Sequence, residues 1–209
     1  MQVIPSINVK SFEEARGLIE KAAGFADWIH IDVGDGIFTP NVSWGSPREF
    51  KSLGLKDLKT EVHIMVESPD AVVLPWLETG IKRIIVHVES VEDPDALLDL
   101  CQEFEAELGL AISPDTKIEE LNTYFNKIKF YQVLAVTPGL AGQTFKPSVL
   151  EKIKFLRKNV PSVIIEVDGG INPETAKIVR EAGADILVSA SYIFQSPNPE
   201  EAHQQLQDA

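Results

Sequence analysis

His30 and Asp32 stand two residues apart in the stretch WIHIDVGDGIFTPN, which runs from Trp28 to Asn41. Residues two apart in an extended chain share a face. An imidazole and a carboxylate therefore point the same way from a segment otherwise built of Trp28, Ile29, Ile31 and Val33. KTEVHIM places His63 and Met65 on one face in the same manner, and VIIEVD ends on Asp168, directly before Gly169-Gly170. Two imidazoles and two carboxylates that converge form a site for one divalent ion, and nitrogen-rich ligation favours Zn, Fe, Mn or Co over Mg or Ca. Any one of these four residues alone reads as a hydrogen-bonded core residue. Four together in apolar segments do not, because unpaired buried charge is costly. His87 has no sequence partner and reads as structural, and His203 reads as solvated.

The elements that must position these residues alternate along the chain. Strands are predicted at QVIPSI, WIHIDV, KTEVHIM, RIIVHV, LGLAI, FYQVLAV, VIIEVD and DILVS. Helical spacing predicts helices over Phe12–Ala23, Pro47–Leu53, Pro69–Thr79, Asp95–Glu107, Ile118–Phe125, Ser148–Lys158, Pro173–Ala182 and Pro199–Leu206. Eight strands alternating with eight helices imply parallel pairing through right-handed crossovers. The expected fold is a single (β/α)8 TIM barrel over residues 1–209, and the strands read as mostly apolar, as suits a sheet covered on both faces. The alternative, an open doubly wound sheet, lacks a glycine fingerprint at the first strand-to-helix turn. A barrel places its chemistry at the C-terminal ends of its strands, where Ser6, His30, Asp32, His63, His87, Thr137, Asp168 and Ser189 fall.

Glycine-bearing loops follow the last three strands: TPGLAGQTF (137–145), DGGINPET and SASYIF. Backbone N–H groups in such loops hold a phosphate in many barrels, although glycine is also the default residue of a turn.

Composition narrows the partners. The 209 residues carry a net charge of −13, which opposes nucleic-acid binding at long range. Hydrophobic residues make up 44%, enough for a sizeable core, and one cysteine excludes an intrachain disulfide. No apolar run reaches membrane-spanning length, and the first residues, MQVIPSINVK, do not read as a signal peptide. The expectation is a cytoplasmic protein that acts on a small molecule, with no nucleic-acid or membrane partner.

HIDVGDGIFTPN, EVHIM, TPGLAGQTF and EVDGGI resemble the ribulose-phosphate 3-epimerase family, and the resemblance spans the chain from PSI to SASYIF. It implies the (β/α)8 barrel of the ribulose-phosphate-binding type. It also implies a metal-dependent isomerase of the pentose phosphate pathway, which inverts C3 of a ketose phosphate, D-ribulose 5-phosphate to D-xylulose 5-phosphate, through an enediolate. The positions matching the metal ligands are His30, Asp32, His63 and Asp168, and those matching the two acid/base carboxylates are Asp32 and Asp168. Substrate contacts match Ser6, Met65, the loop of Gly139, Leu140, Ala141 and Gly142, then Gly169, Gly170, Ala190 and Ser191. GDGIFTPN would be the loop that covers the site. The family is commonly oligomeric, so a homo-oligomer of at least two chains is expected.

The chain also departs from that pattern. Gly34 and Leu134 replace methionines, Ile37 replaces a loop histidine, and Ala141 and Ala190 replace glycines. These changes predict a looser sugar end and a weaker phosphate cradle, because alanine tolerates positive φ poorly. They keep open an epimerase of a hexulose 6-phosphate (allulose 6-phosphate type), or a catalytically weakened sugar-phosphate-binding or regulatory protein. Aldol or decarboxylation chemistry on a related barrel would call for a lysine that HIDVGDG lacks.

Overall fold

The computed structural model describes residues 1–55 and 57–209. Eight strands close into a barrel in sequence order: β1 (Gln2–Ile7), β2 (Trp28–Gly34), β3 (Lys59–Met65), β4 (Arg83–His87), β5 (Glu107–Ile112), β6 (Phe130–Leu134), β7 (Ile164–Asp168) and β8 (Ile186–Ser189). Every neighbouring pair is parallel, and β8 returns to pair with β1. The expected (β/α)8 fold is the one formed.

The helices are α1 (Phe12–Ala22), α2 (Pro47–Ser52), α3 (Val73–Leu77), α4 (Pro94–Glu103), α5 (Leu150–Asn159), α6 (Pro173–Ala182), α7 (Ser191–Phe194) and α8 (Pro199–Asp208). Three differ from expectation for local reasons. The segment 69–79 divides into a 3-10 turn, Pro69–Ala71, and the short α3. Pro75, which has no N–H to donate, confines the α-helix to starting just before it. Ile118–Tyr124 is a 3-10 helix, and it contains Asn122 and Thr123, which favour α-helix weakly. The predicted 95–107 helix stops at Glu103, and the chain reverses at Glu105, with φ of 54°, into β5. The short α7 after β8 was not foreseen.

Two apolar layers hold the barrel. The larger lies between strands and helices, and includes Ile29, Ile31, Val62, Ile64 and Trp76. A smaller one, with Ile4, Ile85, Ala111, Phe130, Ile186 and Val188, plugs the barrel interior. The strands are mostly apolar, as read, but the interior also holds polar side chains at mid-strand. His30, Glu61, Gln132 and Glu166 are fully buried, and Arg83 is nearly so. Arg83 packs its guanidinium 3.8 Å from the Phe130 ring centroid and 4.7 Å from that of Trp28. From there it donates to Glu61 through Nη1 and to Glu107 through Nε at 2.8 Å. Gln132 donates to Glu166 at 3.2 Å. The helix α8 closes the molecule: His203, expected in solvent, is buried, and its Nε2 lies 3.0 Å from the carbonyl oxygen of Val3 on β1.

The buried Glu61 carboxylate is paired with the Arg83 guanidinium. Removing one partner of a buried pair is strongly destabilising because the other charge stays behind. Arg83→Met is expected to lower unfolding stability by roughly 3–5 kcal/mol, measured by urea denaturation. A loss within about 0.5 kcal/mol, the usual range for a surface substitution, would contradict this.

Candidate active site

The inward face of β2 presents His30 and then Asp32, and pairing sets Asp32 level with His63 on β3. On the other side, Leu134 of β6 is level with Asp168, the last residue of β7. The four side chains meet at the C-terminal mouth of the barrel. Asp32 Oδ1 lies 3.2 Å from His30 Nε2 and 3.1 Å from His63 Nδ1, and His63 Nδ1 lies 3.7 Å from Asp168 Oδ2. One donor atom from each residue falls within 4.8 Å of all the others. Metal–donor bonds of about 2.0–2.2 Å place neighbouring donors about 3–3.5 Å apart, so the spacing and the N2O2 chemistry fit a single divalent cation.

Three of the four donors are held from behind. His30 Nδ1 bonds Glu61 Oε1 at 2.7 Å, which leaves Nε2 for the cluster. Asp32 divides its oxygens: Oδ1 faces the imidazoles, and Oδ2 accepts from Ser6 Oγ at 2.7 Å and Asn8 Nδ2 at 3.3 Å. Asn8 donates also to the Gly139 carbonyl at 2.8 Å, so one side chain joins the carboxylate to the loop after β6. His63 Nε2 points at His87 Nε2, 2.9 Å away. His87 is therefore part of the site's surroundings and not an isolated structural residue.

The two carboxylates are driven apart in ionisation. Burial opposes charge on Asp32, but the neighbouring His30 and His63 outweigh it and hold the carboxyl well below the usual range. Burial, and then the charge of Asp32, raise Asp168 to about 7. Burial keeps His63 neutral, with a pKa lowered to about 4. Burial also opposes a charge on His30, but Asp32 and then Glu61 raise it well above its ordinary value.

The predicted substrate residues gather in one cleft. Ser6, Met65, residues 139–142, Gly169-Gly170 and Ala190-Ser191 line it beside Asp32 and Asp168. Ser189, expected at the same strand ends, lines it too, and so do Asn8, Gln143 and Ile171, which were not singled out. The double glycine is demanded by the packing. Gly169 has φ of 100° and a Cβ there would sit 2.5 Å from a Val136 methyl; at Gly170, φ is 67° and a Cβ would sit 2.6 Å from the Phe145 nitrogen. Ala141 and Ala190 carry no such demand. Among the described residues only Glu105 has a positive φ without being glycine, and Ala190 has φ of −103°. The expected backbone penalty in the phosphate loops is absent.

Thr39 stands against Gly34: its Oγ1 would lie 2.6 Å from a Cβ at position 34, and it is itself buried. Leu134 lines the cleft, while Ile37 is exposed. The loop of GDGIFTPN is tied down by Asp35, which accepts from the Ile37, Phe38 and Glu67 nitrogens at 2.8–2.9 Å. It lays Phe38 over His87, with ring centroids 4.7 Å apart.

Residues 2–194 match the model of the ribulose-phosphate 3 epimerase family. The chain belongs to that family. It is 40% identical to the ribulose-phosphate 3-epimerase of Chlamydia muridarum over 190 residues, covering 88% of this chain and 82% of that protein. It is 34% identical to the Bacillus subtilis protein of the same name, covering 93% and 92%. Among solved structures, 3-hexulose-6-phosphate synthase from Salmonella typhimurium aligns at a TM-score of 0.74 and 15% identity, covering 100% of this chain and 97% of that one. KGPDC from Streptococcus mutans, in complex with D-R5P, aligns at 0.76 and 16%, covering 99% and 95%. Both show the shared barrel. A metal-dependent epimerase of this family has, in this chain, a buried His/Asp cluster suited to the ion.

To ligate, His30 must give up the proton it holds, because Nε2 has to be bare. Cation affinity is therefore expected to fall as pH is lowered. Calorimetric zinc titrations at about pH 7 in buffers of different ionisation enthalpy should show about one proton released on binding. Binding with no proton release would contradict the charged His30.

Proposed function

We propose that this chain interconverts D-ribulose 5-phosphate and D-xylulose 5-phosphate by removing the C3 proton from one face and returning a proton to the other. The observation that carries this reading is the placement of Asp32 and Asp168 at one cleft, beside the His30 and His63 donors, with burial and neighbours pushing Asp32 down and Asp168 up. Two titratable groups whose surroundings push them apart mark a base and an acid.

Asp32 removes the proton beside the ketone, and Asp168 delivers its own proton to the opposite face. The reverse reaction exchanges their roles. Ser6 and Asn8 fix the plane of Asp32 by holding Oδ2, so that the base does not swing away between turnovers. His30, Asp32, His63 and Asp168 would hold the divalent ion, which is Zn, Fe, Mn or Co by its donor set. When bound, that ion supplies positive charge against the oxygens that become negative as the proton leaves C3. Met65 and Leu134 give the cleft apolar walls beside the two aspartates, which keep water from the carbanionic carbon. The N–H groups of residues 139–142, Gly169-Gly170 and Ala190-Ser191 receive the phosphate, a role that needs backbone and not particular side chains.

The reading carries a cytoplasmic location and a homo-oligomer of at least two chains. A lone, buried thiol, Cys101, suits a reducing compartment. The exposed Ile37, Val42 and Leu140 offer apolar surface for association. Among the described residues no helix is long and apolar enough to cross a membrane.

The test is conversion of D-ribulose 5-phosphate followed by NMR. Asp32→Asn and Asp168→Asn are each expected to reduce turnover by roughly 10²–10⁴, with metal content measured in parallel. Near-wild-type turnover by either variant in its metal-loaded form would overturn the assignment, and so would equal turnover of unphosphorylated ribulose by wild type.

A further inference from the structure

Behind His63 a line of buried polar side chains runs away from the cleft. His63 Nε2 meets His87 Nε2 at 2.9 Å, and His87 Nδ1 meets Glu89 Oε2 at 2.8 Å. The two imidazole planes are 23° apart with centroids separated by 5.0 Å, so the rings point nitrogen to nitrogen instead of stacking face to face. Both histidines are fully buried. Glu89 is anchored in turn, because its Oε1 accepts from the Ser113 backbone nitrogen at 2.7 Å. Phe38, from the loop after β2, covers His87. Ser113 Oγ also approaches His87 Nδ1, at the longer distance of 3.3 Å.

We propose that His87 and Glu89 are positioning residues, which present His63 to the cation with Nδ1 bare and its proton on Nε2. The inference rests on the reading of His63 as a metal ligand. Its logic is the arithmetic of protons in a chain of two neutral imidazoles. An N–H···N bond needs one donor and one acceptor. If His63 gives its Nδ1 lone pair to the cation, its one proton sits on Nε2 and is donated to His87. His87 Nε2 is then the acceptor, and its own proton must sit on Nδ1. That proton has a partner only because a carboxylate, which accepts and cannot donate, stands at 2.8 Å. Glu89 thus sets the order of both protons from two hydrogen bonds away. The same device recurs on the other nitrogen ligand, where Glu61 takes the Nδ1 side of His30. Outer partners of this kind orient metal-binding histidines and raise their basicity. Glu89 touches neither the cleft nor the donor cluster, so its influence on the ion runs through the imidazoles alone.

The experiment uses the full-length protein with zinc as the probe. Long-range ¹H–¹⁵N spectra of the histidine rings in the zinc-loaded wild type are expected to place protons on Nε2 of His63 and Nδ1 of His87. A proton on Nε2 of His87 would overturn the proposal without any variant. Zinc affinity, from competition with a chelator, is expected to fall by roughly 10- to 100-fold in Glu89→Ala, and by less in Glu89→Gln, whose amide oxygen can still accept. Wild-type affinity in a folded Glu89→Ala protein would equally overturn it. A wild type that binds no zinc, cobalt or manganese would instead refute the ligand reading on which the proposal stands, so the two failures are distinct.

Discussion

The site depends on keeping one carboxylate, Asp32, charged inside a barrel from which water is largely excluded. Burial alone would make it take a proton. Four side chains prevent this: Ser6 and Asn8 donate to one oxygen, and His30 and His63, with the cation they would hold, face the other. Each of those side chains then needs a partner of its own, and the demand propagates. His30 requires Glu61, Glu61 requires Arg83, and Arg83 requires aromatic faces and Glu107. The polar middle of the barrel is the consequence, and the apolar plug of Ile4, Ile85 and Val188 surrounds it.

The barrel suits this demand because its strands hold the register of every member. Neighbouring strands bring Asp32 level with His63, and β7 brings Asp168 to the same mouth. The loops contribute what strands cannot. Gly169 and Gly170 take left-handed conformations against Val136 and Phe145, in places where no side chain fits. Asn8 ties the loop at Gly139 to Asp32, so the loop read as a phosphate cradle and the base share a hydrogen-bonding side chain.

Period-two alternation made the strands and the four inward donors legible, and glycine placement made the cleft loops legible. The polar interior was legible too, by the same rule: Glu61 stands two residues before His63, and Arg83 four before His87, so both share the inward face. Charges in a parallel strand nonetheless suggest its ends and not its centre. His203 sits between Ala202 and Leu206 on the buried stripe of α8, a spacing that marks an inward residue. What no sequence spacing contains is the contact of Thr39 with Gly34, or the ordinary φ of Ala190. Both arise from how loops fold back, so a missing methionine side chain read as open space where the structure has a threonine.

The central claim is that two carboxylates serve opposite faces of C3. The direct measurement is the isotopic content of the first xylulose 5-phosphate formed from protonated ribulose 5-phosphate in deuterium oxide, read by NMR before the pool equilibrates. Removal by one carboxylate and return by another, loaded from solvent, predicts product carrying solvent deuterium at C3. Product that retains the substrate's own C3 proton would show a single group carrying it across, and would contradict the account.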